Sequence, residues 1–232
     1  MIFTILELFK LKFWGDGSEG AKDAINDIIV RSTENFNWTF IFIIAVVFYI
    51  YGTVIKKKDW KLLRAGFALY GVHWLYEIAN AIIAKCSGYP LWAVSNDSTT
   101  FILLIGVSWE LSMMFSLAGM ITYNMLPEDK NTRWLKSEKF KGIDCKLVVA
   151  IGMALFFALF ESFLAATNGG MTFIWVYKWW GVIPVFITTY VPFFLAAVYV
   201  PEMETKKSNI FLFTVWGLVA LLLIILIPCG VI

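Results

Sequence analysis

The sequence predicts an all-α integral membrane protein: a bundle of about six transmembrane helices preceded by N-terminal amphipathic helices lying in the interface. Three observations carry this expectation. The 232-residue chain is 60% hydrophobic and 18% aromatic with only 16% charged residues, whereas soluble domains run near ~45–50% apolar and ~25% charged. Six stretches stay apolar over about 20 residues, the length of helix that crosses a bilayer. The segment before them is amphipathic instead of continuously apolar.

Taken in order, Met1–Trp14 interleaves Ile2, Phe3, Ile5, Leu6 and Phe9 with Glu7, Lys10 and Lys12. It has neither a basic n-region nor a small-residue cleavage site, so an interfacial helix is expected there, not a cleaved signal peptide. A second short amphipathic helix is expected over Ala21–Ser32, after the Gly15–Gly20 turn region. Residues 1–36 then form an interfacial segment and residues 37–232 a single transmembrane domain. The spans are placed at 37–55, 61–85, 99–126, 146–167, 172–200 and 209–231. Cys86-Ser87-Gly88-Tyr89-Pro90 ends the second span, Pro127 closes the third, and Asn168-Gly169-Gly170 breaks the chain before the fifth. Pro184 and Pro192 lie within the fifth span, where each frees a backbone carbonyl and bends the helix.

Lysine and arginine set the orientation. Most of the 19 basic residues fall in three connections, with Lys56–Lys58, Lys61 and Arg64 in one, Lys130–Lys146 in the next, and Lys206 and Lys207 in the last. With these on the cytoplasmic face, a multi-pass chain of six spans has both termini on the non-cytoplasmic side. The net charge of +2 is too small for a nucleic-acid partner. Cys86, Cys145 and Cys229 form no ligand spacing and read as small hydrophobes near helix ends. There is no Gly-rich phosphate loop, HExxH, GxSxG or CxxC. The single histidine excludes a multi-histidine iron site or bis-histidine haem within the chain, and the last span has no lysine for a retinal Schiff base. No metal or redox cofactor is expected; the expected partners are membrane lipids and a hydrophobic lipid substrate.

Ionisable groups at membrane depth cost roughly 2.5–3.5 kcal/mol each, and four occur here. His73, Glu77 and Asn80 fall at i, i+4 and i+7, one stripe of the second span. Glu110 lies inside the third span beside Trp109, and Glu161 in the fourth. At 1.5 Å per residue all four acid or imidazole groups come out about 18–24 Å from the inner ends of their helices, in one layer. Thr188 lies at mid-depth on the fifth span, with Trp175 and Tyr177 toward its outer end. Three readings stay open for such a cluster: a proton or ion path, a catalytic site, or a satisfied structural pair. Three carboxyls with one imidazole cannot all ionise cheaply in a low dielectric, so an acid and a base stand side by side. Aromatic faces steady a cation by roughly 0.5–2 kcal/mol each. Together these suit protonation of a double bond or epoxide in a lipid. Glu110 is expected as proton donor, His73 and Glu77 as the pair that tunes it and accepts the returning proton, and Glu161 as a second carboxylate. Trp109, Asn80, Trp175, Tyr177 and Thr188 are expected to contact substrate.

His73-Trp-Leu-Tyr-Glu77, followed by Glu110 in Val107-Ser-Trp-Glu-Leu111, resembles the emopamil-binding/sterol-isomerase (EXPERA-type) family. Ser108-Trp109-Glu110 after Tyr89-Pro90-Leu91 is similar to the small membrane terpene cyclases of fungal meroterpenoid and indole-diterpene pathways. Glu161 … Trp175-Val-Tyr177 … Gly181-Val-Ile-Pro184 is similar to lycopene cyclases and carotenoid hydratase-like proteins. It also echoes Glu77 … Trp92-Ala-Val94 about 84 residues earlier, which suggests an internal duplication. The resemblance implies an isoprenoid lipid as substrate and cyclisation, double-bond isomerisation or hydration as chemistry. The N-terminal 36 residues and the sixth span have no place in the five-helix isomerase pattern. Two other classes remain: a small proton-coupled transporter built on the broken fifth helix, and a non-catalytic lipid-binding subunit with the same cavity.

Overall fold

The computed structural model describes residues 28–232 except 35, 37, 88–89, 95–100, 139–140, 168–172 and 175–181. Most of the described chain is helical. The expected interfacial helix at Met1–Trp14 lies outside the described residues, as does most of Ala21–Ser32. The described end of the latter, 28–32, is not helical and turns at Val30–Arg31, with Arg31 at φ 58°.

Helix α1 (Thr39–Lys56) ends on a run of lysines that suits the negative end of the helix dipole. Lys58 reverses the chain at φ 56°, and the Asp59 carboxylate accepts the Leu62 N–H at 3.0 Å, capping α2 (Trp60–Ser87). Beyond α2 the chain forms β1 (Ala93–Val94) and a tight hairpin of β2 (Ile102–Leu104) and β3 (Val107–Ser108), turning at Ile105–Gly106. Ser108 caps α3 (Trp109–Asn124) by accepting the Leu111 N–H. A small hairpin, β4 (Arg133–Trp134) with β5 (Ile143–Asp144), leads into α4 (Cys145–Thr167). Strand β6 (Phe173–Ile174) pairs antiparallel with β1, in the register Ala93↔Ile174 and Val94↔Phe173.

The fifth expected span is a composite. Helix α5 (Val182–Val185) passes into a π-turn at Phe186–Tyr190, then α6 (Val191–Tyr199) and a 3-10 turn at Val200–Glu202. Pro192 has no N–H for the ladder, and the widened turn just before it is how the helix absorbs the loss. Helix α7 (Thr205–Leu226) closes the bundle.

Helix α2 is the hub, packed against α3, α6 and α7, while α4 lies on α6 and α1 flanks α3. A Cβ on Gly119 would stand 2.3 Å from the Ala65 carbonyl oxygen, so a glycine is what lets α3 meet α2 backbone to backbone. At the end of the bundle bearing the Lys56–Asp59 turn, Glu202 holds Lys61 at 3.0 Å and accepts the Tyr123 hydroxyl, locking α2, α3 and the 3-10 turn. At the opposite end the Arg31 guanidinium donates to the carbonyls of Leu103 and Ile232, so residue 31 and residue 232 sit together.

Among the described residues two helices are long and apolar enough to cross a membrane, Cys145–Phe163 and Thr205–Leu226; Phe40–Lys56 and Phe186–Glu202 are apolar but shorter. The outward faces of α1 and α7 are greasy, with Phe42 and Phe48 both 73% exposed and Phe213 80%. One expected boundary is corrected outright. The third span does not begin at 99: residues 102–108 are a hairpin and the helix starts at Trp109. The apolar run Phe101–Val107 reads equally as a span or as two buried strands, and here the glycine turn decides for strands.

Candidate functional site

Helix α2 carries His73 and Glu77 one turn apart on its inward face, and both are almost wholly buried. Glu161 on α4, also buried, faces the same cavity. Its further walls are Trp92, Gly106, Leu111, Phe115, Thr189, Tyr190 and Phe193. The space is about 20 Å³, room for about one water molecule.

The imidazole of His73 is stacked on Phe115, with centroids 4.1 Å apart and planes within 19°, and packs T-shaped with Phe193, centroids 5.6 Å apart. Its Nε2 lies 3.3 Å from Glu77 Oε1, an ion-pair contact without hydrogen-bond alignment. Among the described residues neither ring nitrogen makes an aligned hydrogen bond. The ring is held in place by its aromatic neighbours and faces Glu77 and the cavity.

Glu77 is held from the other side. The Trp92 indole N–H donates to both its oxygens, at 3.0 and 3.1 Å. Asn80 in turn fixes Trp92: its amide donates to the Trp92 carbonyl at 2.8 Å and its oxygen accepts the Leu91 N–H at 2.6 Å. The hairpin turn closes over this knot at Gly106, where a Cβ would stand 2.4 Å from both Asn80 Nδ2 and Glu77 Oε2. Glycine is needed there for close approach, not for its backbone angles. Among the described residues no group of three or more His, Cys, Asp or Glu side chains is arranged as metal ligands.

The structure thus brings together three of the four expected ionisable groups and leaves the fourth apart. Glu110 sits in the first turn of α3, where a carboxylate suits the free N–H groups of a helix start, and does not line the cavity. Its expected mid-span depth followed from starting the helix ten residues early. Trp109 is half-buried with its ring 6.3 Å from Phe40, on the α1 side. Asn80 is fully buried but engaged with the Leu91–Trp92 backbone, outside the cavity lining. Thr188 is exposed and its neighbour Thr189 takes the lining position; the extra residue of the π-turn rotates the face that follows it. Trp175 and Tyr177 lie outside the described residues. Trp92 was missed as a site residue, although the echo with the later Trp175 segment marked it. Phe115 and Phe193 carry no signal that separates them from ordinary core aromatics.

Comparison with known proteins agrees with the membrane reading. The model of an uncharacterized membrane protein family matches residues 18–228. An uncharacterized protein of Archaeoglobus fulgidus is 31% identical over 212 residues, covering 90% of this chain and 95% of the relative. No solved structure matches the chain. With nearly the whole length matched in both comparisons, the chain belongs to that uncharacterized membrane protein family.

Proposed function

We propose that this is a multi-pass membrane enzyme, with six spans and both termini on the non-cytoplasmic side, that protonates and deprotonates a hydrophobic, isoprenoid-type lipid. The observation that carries the reading is the meeting of Glu77 and Glu161, from two helices, at one cavity with a single imidazole between aromatic rings. Two carboxyl groups and one imidazole crowded at one apolar cavity can supply both a proton donor and a proton acceptor.

Glu161 takes the donor role that sequence alone gave to Glu110, because Glu161 is the carboxyl at the cavity. It delivers a proton to the substrate double bond, and positive charge develops on carbon. Phe115, Phe193 and Tyr190 steady that cation through their π faces. The His73–Glu77 pair removes a proton from an adjacent carbon, and a cyclised or isomerised product leaves. The cavity has room for about one water, so entry of the reacting end of a lipid requires its walls to part. The resemblance of the short motifs around His73, Glu77 and Glu161 to those of sterol isomerases and membrane cyclases supports this reading.

A second reading, proton-coupled transport, draws on the π-turn beside Pro192 and on the single imidazole at the cavity. Mass spectrometry of lipids co-purified with wild type, Glu161→Gln and Glu77→Gln separates the two. An isoprenoid held by either variant and absent or altered in wild type is the expected result. Identical lipid profiles in all three, with proton uptake into vesicles lost in the variants, would overturn the enzymatic reading in favour of transport.

A further inference from the structure

At the lysine-rich end of the bundle, α2 and α7 leave a groove of about 280 Å³ between them. Trp60, Leu63, Arg64 and Phe67 supply one wall, at i, i+3, i+4 and i+7 of α2, and Asn209 and Leu212 supply the other. Its walls are mainly apolar, with a guanidinium and an amide as the polar groups inside. The basic side chains nearby are not equivalent. Lys61 is committed to Glu202 at 3.0 Å and Lys207 to Glu204 at 3.1 Å, whereas among the described residues no carboxylate pairs with Arg64. Between 56 and 64 five cations stand against one carboxylate, Asp59, and the Asp59 side chain is turned to its own helix cap.

We propose that this groove is a binding site for one anionic phospholipid. Arg64 takes the phosphate, in the paired N–H geometry a guanidinium offers to phosphate oxygens. Asn209 donates to the headgroup or glycerol oxygens, and the acyl chain runs along Leu63, Phe67 and Leu212. Depth agrees with this. Arg64 lies four residues into α2, about 6 Å along the axis, where lipid phosphates meet a span that begins at Trp60. Trp60, half exposed at the mouth, is the residue type that sits at that level. The outer face of α7 offers the chain an apolar surface to lie on, with Ile210 and Phe213 exposed next to the groove. A free phosphate would find the same guanidinium but would leave the apolar walls unused. The inference rests on the membrane reading and not on the chemistry at His73.

The test is native mass spectrometry of the full chain in detergent, titrated with phosphatidylglycerol and with phosphatidylcholine of identical acyl chains. One phosphatidylglycerol is expected to bind about fivefold more tightly, the effect of one cation near the membrane surface. Arg64→Ala should erase the preference, as should Arg64→Gln if the alanine variant folds poorly. Lys85→Ala at the other end should leave it intact. Glycerol phosphate in millimolar excess should not displace the lipid. Equal binding of the two lipids, a preference that survives both Arg64 variants, or displacement by glycerol phosphate would overturn the site. Glu161→Gln should keep the preference, so failure here is separable from failure of the proposed reaction.

Discussion

The indole N–H of Trp92 is shared between the two carboxylate oxygens of Glu77, so that a loop beyond the end of α2 fixes a side chain in its middle. The loop is itself tied back to the same helix by Asn80, one turn further on. Helix, loop and carboxylate therefore form one closed circuit. The orientation of Glu77 toward His73 is a property of that circuit and not of α2 alone.

Breaking the circuit has a predictable cost. Leaving a buried acceptor without its donor costs about 1–3 kcal/mol, so Trp92→Phe should lower stability by that order. The measurement is thermal unfolding of the purified protein in one detergent. A melting temperature equal to wild type would mean that the indole is not a significant anchor of Glu77.

Gly106→Ala tests the same region by volume. The new methyl would fall 2.4 Å from polar atoms of Glu77 and Asn80, and overpacking of this kind costs typically about 1–3 kcal/mol. Gly152→Ala, on the open face of α4 with nothing within 4 Å, is the matched control. It should be neutral, or stabilising by up to about 1 kcal/mol, because alanine is the better helix former.

The Lys61–Glu202–Tyr123 lock predicts a pH dependence outside the spans. Burial alone would raise the Glu202 carboxyl. The hydrogen bond from Tyr123 and the nearby Lys61 outweigh it and hold the group below its usual value of 4.5. The folded state then binds its proton at lower pH than the unfolded state. Its stabilisation is complete above about pH 4.5 and is lost as pH falls through the folded value. Glu202→Gln should flatten the melting temperature over that acid window. An unchanged slope in the variant would show that other carboxyls set it.

At the central site, a positioned general acid contributes typically ~10²–10⁴-fold in rate. Once a lipid substrate is identified by co-purification, Glu161→Gln should lose turnover on that scale while keeping its melting temperature. Glu110→Gln, in the first turn of α3 and away from the cavity, should lose less than about tenfold, well short of a general-acid effect. The reverse ranking would return the donor role to Glu110.

Much of this arrangement was legible in the residues. The stripe His73, Glu77, Asn80 pointed inward as its spacing required, and Glu161 reached the same point from α4. Failures came where the chain leaves a single period. The stretch before Trp109 is apolar enough to pass for helix, and only its pairing across Gly106 makes it a hairpin. Depth along the fifth span does not separate Thr188 from Thr189, and within the π-turn it is Thr189 that lines the cavity. Asn80 looked like a ligand because it shares a stripe with two acid–base groups. Its bonds to Leu91 and Trp92 are to backbone that sequence separation alone could not bring near.

The antiparallel β1–β6 ladder joins the neighbourhoods of the two echoing segments, and an antiparallel pairing is what an axis of rotation between equivalent copies produces. Shifting His73 by the 84 residues that separate Glu77 from Glu161 lands on Phe157, whose ring is 5.7 Å from the same Phe115 that His73 stacks upon. If the echo marks a duplication, a half-length chain dimerising about such an axis presents two matching acids, the counterparts of Glu77 and Glu161, to one chamber.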